Sequence, residues 1–505
     1  MAAPTVGKQA RMLTRKAFLE LLGLAALSPP RRLFAQEEPS SLLVNDVHSK
    51  LNETRVRRIE TSESADDVRR LLRTVRDEGR HLSIAGGRHA MGGQQFLRDG
   101  VLLDTRHLNR VLGFDAERGV VEAEAGIQWP ELVEHLLREQ QGRSRQWGIA
   151  QKQTGGDRLT LGGTLAANAH GRGLTMKPII GDVESFVLID WQGNVHECSR
   201  TENAELFKLA IGGYGLFGVI YAVRLKLAPR VKLERVVEVI DVAQVMPAFE
   251  RRIADGYLYG DFQYSIDEES PDFFRRGVFS CYRPVSPEAP MPEAQRELSD
   301  ENWRELLYLA HADERAAFDR YSSYYLSTSG QLYWSDTHQM SIYPADYHDE
   351  LDRRSNAVQR ATEMITEIYV RRPNLAAFMA DAAEDCRRNG VHNIYGTVRL
   401  IERDDECFLA WAKESYACII FNLHVEHTPA GIAHSADAFR RLIDLGLKYG
   451  GRYYPTYHRH ATRAQVEACY PQFAEFLRLK RQYDPYELFQ SDWYRHYRDM
   501  FGASA

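Results

Sequence analysis

Residues 84–94 read Ile84-Ala85-Gly86-Gly87-Arg88-His89-Ala90-Met91-Gly92-Gly93-Gln94, directly after the strand-like start His81-Leu82-Ser83. A tight turn takes one or two glycines. Two pairs flanking Arg-His let backbone N–H groups close on a phosphate and leave several positions free to take positive φ. A second small-residue stretch runs Thr160-Leu161-Gly162-Gly163-Thr164-Leu165-Ala166-Ala167-Asn168-Ala169-His170-Gly171-Arg172-Gly173. That composition suits backbone lying against a flat ligand rather than against bulky core. A third stretch, Glu205 to Gly218, ends with Gly213, Gly215 and Gly218 in the spacing GxGxxG. A dinucleotide fingerprint follows a strand and opens a helix. Here a helix-like run precedes the glycines and the strand-like Val219 to Leu225 follows them, so the Rossmann reading is rejected.

Outward from these loops, Val68, Leu71, Leu72 and Val75 sit at helical spacing after the capping candidate Ser64. Val101–Asp104 and Val120–Ala125 read as strands, and Pro130 opens a helix through Leu137. The alternation continues to about Leu227 and favours an α/β arrangement there, with Pro229 as a boundary. Ser286 to Glu297 is a proline-rich, acidic excursion. Tyr321, Tyr324, Tyr325, Tyr333, Trp334, Tyr343 and Tyr347 follow. Aromatics that dense are core by default; the alternative is a polar-aromatic pocket. Ile365–Val370, Ile394–Ile401 and Cys418–Val425 read as strands of a second sheet.

The composition excludes several classes. Of 505 residues, 44% are hydrophobic and 27% charged, with a net charge of −6, so the chain is neither mostly disordered nor polytopic and has no basic footprint for nucleic acid. Six cysteines without a CxxC pair make a disulfide scaffold or structural zinc unexpected. Near the N-terminus a basic stretch containing Thr14-Arg15-Lys16-Ala17-Phe18-Leu19 precedes a short apolar run broken by Glu20. It is too short and polar for a stable membrane span and has the layout of an export signal. It resembles a twin-arginine signal with lysine as the second basic residue, which implies a periplasmic or secreted protein. The alternative is an amphipathic helix of the mature chain.

Taken together, the three glycine segments resemble the FAD-linked oxidases of the vanillyl-alcohol-oxidase, or PCMH-type, family, in its order and spacing. The C-terminal text Tyr470-Pro471, Lys480-Arg481, Asp484-Pro485, Leu488-Phe489 and Ser491-Asp492 is similar to the family's as well. The resemblance covers about residues 55–228 and 446–498. It implies an α+β fold: a two-subdomain FAD-binding domain (46–228) behind a leader and linker (1–45), an α/β cap on an antiparallel sheet (229–445), and a C-terminal segment (446–505) returning to the first domain. It implies FAD, contacted by Gly86, Gly87, Arg88, His89, Ala90, Met91, Gly92, Gly93 and Gln94, by Thr160, Gly162, Gly163, Thr164, Ala167, Asn168, His170 and Gly171, and by Gly218 and Val219. His89 stands where many members attach FAD covalently; the alternative is a histidine that only hydrogen-bonds it. His170 reads as structural or flavin-contacting rather than as an acid or base.

Within the family the motifs are similar to those of the aldonolactone/alditol oxidases and the decaprenylphosphoryl-ribose oxidases. Arg399, in Gly396-Thr397-Val398-Arg399, matches an arginine that faces the flavin in the former, and Thr397 falls where a glutamate is usual. Glu367 is the nearest alternative carboxylate, though a lone strand glutamate is more often solvated or paired. His424 lies on the following strand. Both relatives place a lysine five residues after the position of Arg452, where this chain has Tyr457 with His458 beside it. The candidate catalytic residues are therefore Arg399, His424, Tyr457 and His458. His458 and His460 lack a third ligand in sequence, so no metal is expected. The expected activity is oxidation of a CH–OH group of a small polyol, sugar or sugar-lactone-like substrate, with oxygen or a redox partner as acceptor. The alternatives are a phenolic or amine substrate in the tyrosine-rich pocket, or a catalytically silent periplasmic binding protein.

Overall fold

The computed structural model describes residues 42–341 and 347–502; the expected export segment lies outside them. Helix α1 (Ala65–Asp77) starts where Ser64 accepts a hydrogen bond from the Asp67 N–H, and it buries Val68, Leu72 and Val75. Beside it lies a parallel sheet of β1 (Arg58–Thr61), β2 (Leu82–Ala85) and β3 (Val101–Asp104), in the order β1-β3-β2. The parallel pairing stops there. Strands β4 (Val111–Asp115), β5 (Val120–Glu124), β6 (Val183–Ile189), β7 (Val195–Ser199) and β8 (Val219–Lys226) form an antiparallel sheet in the order β7-β6-β8-β5-β4. Helix α2 (Trp129–Glu139) has Pro130 in its first turn, where the missing N–H costs nothing. Mixed helices and strands make the fold α+β.

After Pro229 the chain builds an eight-stranded antiparallel sheet from β9 (Lys232–Asp241), β10 (Tyr259–Tyr264), β11 (Arg276–Pro284), β12 (Leu332–Trp334), β13 (Ala361–Arg371), β14 (Asn393–Ile401), β15 (Tyr416–Glu426) and β16 (Arg452–Tyr453). Their order is β12-β9-β11-β10-β14-β15-β13-β16. Helix α3 (Pro429–Lys448) packs against β13 and β15. Helix α4 (Asp300–Ala312) lies over β14, and α5 (Glu314–Ser327) over β9 and β11. The α5 tyrosines Tyr321, Tyr324 and Tyr325 are half-buried rather than core.

The last segment spans both halves. It starts as β16 beside β13 and ends beside β2, where the Leu82 N–H donates to the Leu488 carbonyl at 2.7 Å and the Gln490 N–H to the Leu82 carbonyl at 2.9 Å. Asp484 organises that return. Its carboxylate accepts from the Leu488 and Phe489 N–H groups and pairs with the Lys480 ammonium, and both charges are buried. Removing one partner leaves the other uncompensated, so Asp484→Ala should cost about 3–5 kcal/mol of unfolding free energy in urea titration.

Histidines buried elsewhere add a pH dependence. Burial draws His311 down to about 4 and His348 and His460 down to about 3, with smaller effects from neighbouring charges. In the unfolded chain each regains its ordinary value near 6.5, so the unfolded state binds more protons below it. Their contribution is therefore fully present above pH 6.5 and is lost as pH drops towards 4, by up to about 1.4 kcal/mol per pH unit for each histidine. Buried Glu363, lifted to about 7, works in the opposite direction, so the check is a comparison: between pH 7.5 and 4.5 the melting temperature of His348→Gln should rise relative to that of the unaltered chain.

Candidate functional site

The glycine loops are packed so closely that a side chain would not fit. A Cβ at Gly86 would lie 2.1 Å from Thr160 Oγ1, one at Gly87 2.1 Å from the Arg158 carbonyl oxygen, and one at Gly92 2.4 Å from the Tyr457 carbonyl oxygen. Segments around residues 86–92, 158–163 and 457 thus converge through backbone alone. Thr160 accepts from the Gly163 N–H at 3.1 Å and opens the short helix Leu161–Ala167; Gly162 stacks its backbone on Ala125.

Other expected contact residues are committed to holding these loops. Gln94 accepts from the Gly92 N–H and donates to the Pro455 carbonyl, and the Met91 N–H donates to the Thr456 carbonyl. The Ala90 carbonyl accepts from Gln95, and Gly93 takes φ +78°. Thr164 donates to the Thr160 carbonyl, the Ala167 carbonyl accepts from the Tyr454 hydroxyl, and the Gly171 N–H donates to Gln151. Asn168 spends its amide on Asp404 and the Ile180 N–H. Gly218 and Val219 pack on Ile189 of β6.

Arg88 and His89 are different. Arg88 takes the left-handed φ of +59°, and its buried Nε has no hydrogen-bond partner. His89 Nδ1 shares a hydrogen bond with His48 Nε2 at 2.9 Å, while its buried Nε2 makes none. Burial, then the charges of His48 and Lys152, holds His89 well below the usual histidine range. It is held as a neutral imidazole, and Nε2 is the ring nitrogen left without a hydrogen bond. Glycine backbone that admits no Cβ, an arginine whose Nε is unpartnered while its Nη2 lies 3.6 Å from Asp104, and a neutral histidine fit a dinucleotide cofactor with a phosphate near the loop.

A second cluster forms where three elements meet. Register places Arg399, Cys418 and Tyr369 side by side across β14, β15 and β13, and Thr397, Ile420 and Glu367 in the next row. Glu367 has no exposed surface. Its Oε1 accepts from His170 Nε2 at 2.5 Å and from the Cys418 thiol, and its Oε2 accepts from the Tyr457 hydroxyl at 3.0 Å. Burial alone would raise the Glu367 carboxyl. The His170 charge and hydrogen bond, with Cys418 and Arg399, outweigh it and hold the group below its ordinary value. His170 Nδ1 faces the Gly171 carbonyl oxygen at 3.0 Å. Both ring nitrogens of His170 are thus used inside the cluster. Burial and Glu367 push the Tyr457 phenol well above its usual range, so it stays protonated. Arg399 is buried with Nε and Nη1 unpartnered.

His170, Glu367 and Cys418 are also metal-ligating types, with donor atoms within 4.8 Å of one another. An ion at ordinary bond lengths would hold those atoms roughly 3.3 Å apart or more. The direct contacts to Glu367 Oε1 are closer, so this is a hydrogen-bonded cluster.

The structure thus joins Arg399 and Tyr457 with Glu367 and His170, which the sequence ranked lower, and with Cys418, which it did not single out. His424 lies on the same sheet face but farther along, edge-on to His311 at 5.5 Å. His458 sits apart, its ring parallel to His460 at 5.5 Å, drawn to about 4 by burial.

The match to known proteins agrees with the loops. Residues 57–199 match the family described as FAD binding domain. L-gulonolactone oxidase of Bos taurus is 29% identical over 172 residues, 34% of this chain and 37% of that protein. Cytokinin dehydrogenase 9 of Oryza sativa is 30% identical over 185 residues, 35% of this chain and 34% of that protein. Decaprenylphosphoryl-beta-D-ribose oxidase of Mycolicibacterium smegmatis is 22% identical over 454 residues, 86% of this chain and 93% of that protein. The chain spans about a third of the length of the first curated relatives that it matches. Residues 57–199 thus carry a FAD binding domain of the PCMH type, and the chain is similar to FAD-linked oxidases and dehydrogenases.

Proposed function

We propose that the chain is an FAD-dependent oxidoreductase that oxidises a CH–OH group of a small polyol, sugar or sugar-lactone-like substrate. The observation that carries the reading is the Tyr457–Glu367–His170 network, a buried proton relay beside the unpartnered guanidinium of Arg399. Bound FAD supplies the hydride acceptor. The chain's own part is the proton. Tyr457 already donates to Glu367 Oε2, so its phenolic oxygen is free to take the proton of a substrate hydroxyl while its own moves to the carboxylate. His170 balances the Glu367 charge, and Arg399 orients the substrate oxygen. Arg235 lies over the rings of Tyr282, Tyr325 and Tyr333, so those aromatics are engaged in holding a buried cation, which disfavours the phenolic or amine reading. Tyr457→Phe and Glu367→Gln should each lower the anaerobic rate of flavin reduction about 10²-fold. An unchanged rate in both overturns the relay.

His89 is the residue proposed to tether FAD, supported by its neutral, partly unbonded imidazole. A denaturing gel should show a yellow-fluorescent band that disappears in His89→Ala. A non-fluorescent band from yellow native protein removes the tether alone; a colourless native protein removes the flavin. Export before function is also part of the proposal and rests on the stretch Thr14–Leu19.

A further inference from the structure

The connection from β14 to β15, residues 402–415, leaves the large sheet and lies on the glycine-rich half. The Glu402 N–H donates to the Met176 carbonyl at 2.9 Å and the Phe408 N–H to the Lys208 carbonyl at 3.0 Å. The Cys407 thiol donates to the Ile211 carbonyl at 3.0 Å, and Asp404 accepts from the Asn168 amide at 2.8 Å. Connections ordinarily run over the surface. This one carries a buried tryptophan, Trp411, inward.

Trp411 reaches the residues just ahead of His170. Its indole N–H donates to the Asn168 carbonyl at 3.0 Å, and the Tyr454 hydroxyl donates to the neighbouring Ala167 carbonyl at 2.7 Å. Both carbonyls lie at the end of the short helix Leu161–Ala167, where no further turn of helix can bond them. Asn168 leaves that helix at φ +49°, in the left-handed region, and His170 follows two residues later. The same two rings then meet the imidazole. Trp411 lies 5.0 Å and Tyr454 6.3 Å from the His170 ring, and they lie 4.9 Å from each other. Tyr369 stacks on Trp411 at 4.8 Å and 17°.

His170 is thus held through its flanking backbone and through its ring, and its Nε2 meets Glu367. A tryptophan that only fills a core needs a partner for its N–H but no particular one. Here the N–H is spent on the turn that presents the histidine. We propose that Trp411, assisted by Tyr454, is a positioning residue that holds His170 against Glu367, so that a loop of the large sheet fixes part of the proton relay from the glycine-rich half. This rests on the reading that Glu367 receives the proton of Tyr457. Burial works against the Glu367 charge, and the contacts of His170, Cys418 and Arg399 offset it. A His170 that swings away weakens the carboxylate on which the relay depends.

The test uses the FAD-loaded chain labelled with 15N in histidine and tryptophan, and needs no substrate. The His170 Nε2 proton is assigned by its absence in His170→Gln, and its exchange with water is measured by NMR. The Trp147 indole N–H, bonded to the Ala116 carbonyl, is the reference in the same sample. Relative to that reference, exchange at His170 should quicken about tenfold in Trp411→Leu. Trp411→Phe and Tyr454→Phe each lose one hydrogen bond and should quicken it about fivefold. The two phenylalanine variants decide the matter if Trp411→Leu melts early or loses FAD. A lower melting temperature with exchange at His170 and Trp147 quickened alike makes Trp411 ordinary core and overturns the positioning, as does a relative change below twofold in every variant. The relay is judged separately. Quickened exchange at His170 with flavin reduction unchanged in Glu367→Gln keeps the positioning and sinks the relay; slowed reduction in Glu367→Gln with exchange unmoved does the reverse.

Discussion

A carboxylate without exposed surface stays charged only if other groups repay its lost hydration. Glu367 sits in that position in the middle of the largest sheet, and its partners come from three distant parts of the chain. His170 arrives from the small-residue stretch between the early strands, Cys418 from the neighbouring strand, and Tyr457 from the turn after the edge strand. Satisfying one buried charge therefore fixes the large sheet, the glycine-rich half and the C-terminal segment relative to one another. The same contacts hold Tyr457 aimed at Glu367, so the fold's electrostatic constraint and the proposed chemistry have one origin.

The glycine loops serve that arrangement by allowing approach. Where Gly86, Gly87 and Gly92 lie, any side chain would meet Thr160, Arg158 or the backbone of Tyr457. Three segments can then close around one space without bulky groups between them. The C-terminal segment links the two ends of this space, because it leaves the large sheet at Arg452–Tyr453 and reaches the parallel sheet at Leu488. Placement of Tyr457 is thus a consequence of how the chain returns, and the buried Lys480–Asp484 pair holds the far end of that return.

Much of this was legible in the residues. Paired glycines around Arg88-His89, the inverted order around Gly213 to Gly218, and the capping of the first helix all follow from local chemistry, and the structure has them in those forms. The alternation of helix and strand read through Leu227 carries parallel pairing only as far as Asp104 and antiparallel pairing beyond it, because local alternation does not distinguish a crossover from a hairpin. Glu367 was visible only as a strand glutamate. Its importance depends on cross-strand register with Cys418 and on a contact with His170 across 197 positions of chain, and neither leaves a periodic trace. His48 opposite His89 was hidden for the same reason, since its loop has no periodicity at all.

Tyr457 stands where the family resemblance leads one to expect a lysine. Its surroundings give it another meaning. A lysine ammonium at 457 could donate to Glu367 but would have no lone pair with which to accept a substrate proton. A phenol can do both at once, since its oxygen accepts while its hydrogen is held by the carboxylate. Under the proposed function, what differs from the family's pattern is then the route of the proton. One fold hosts many chemistries by changes of this size.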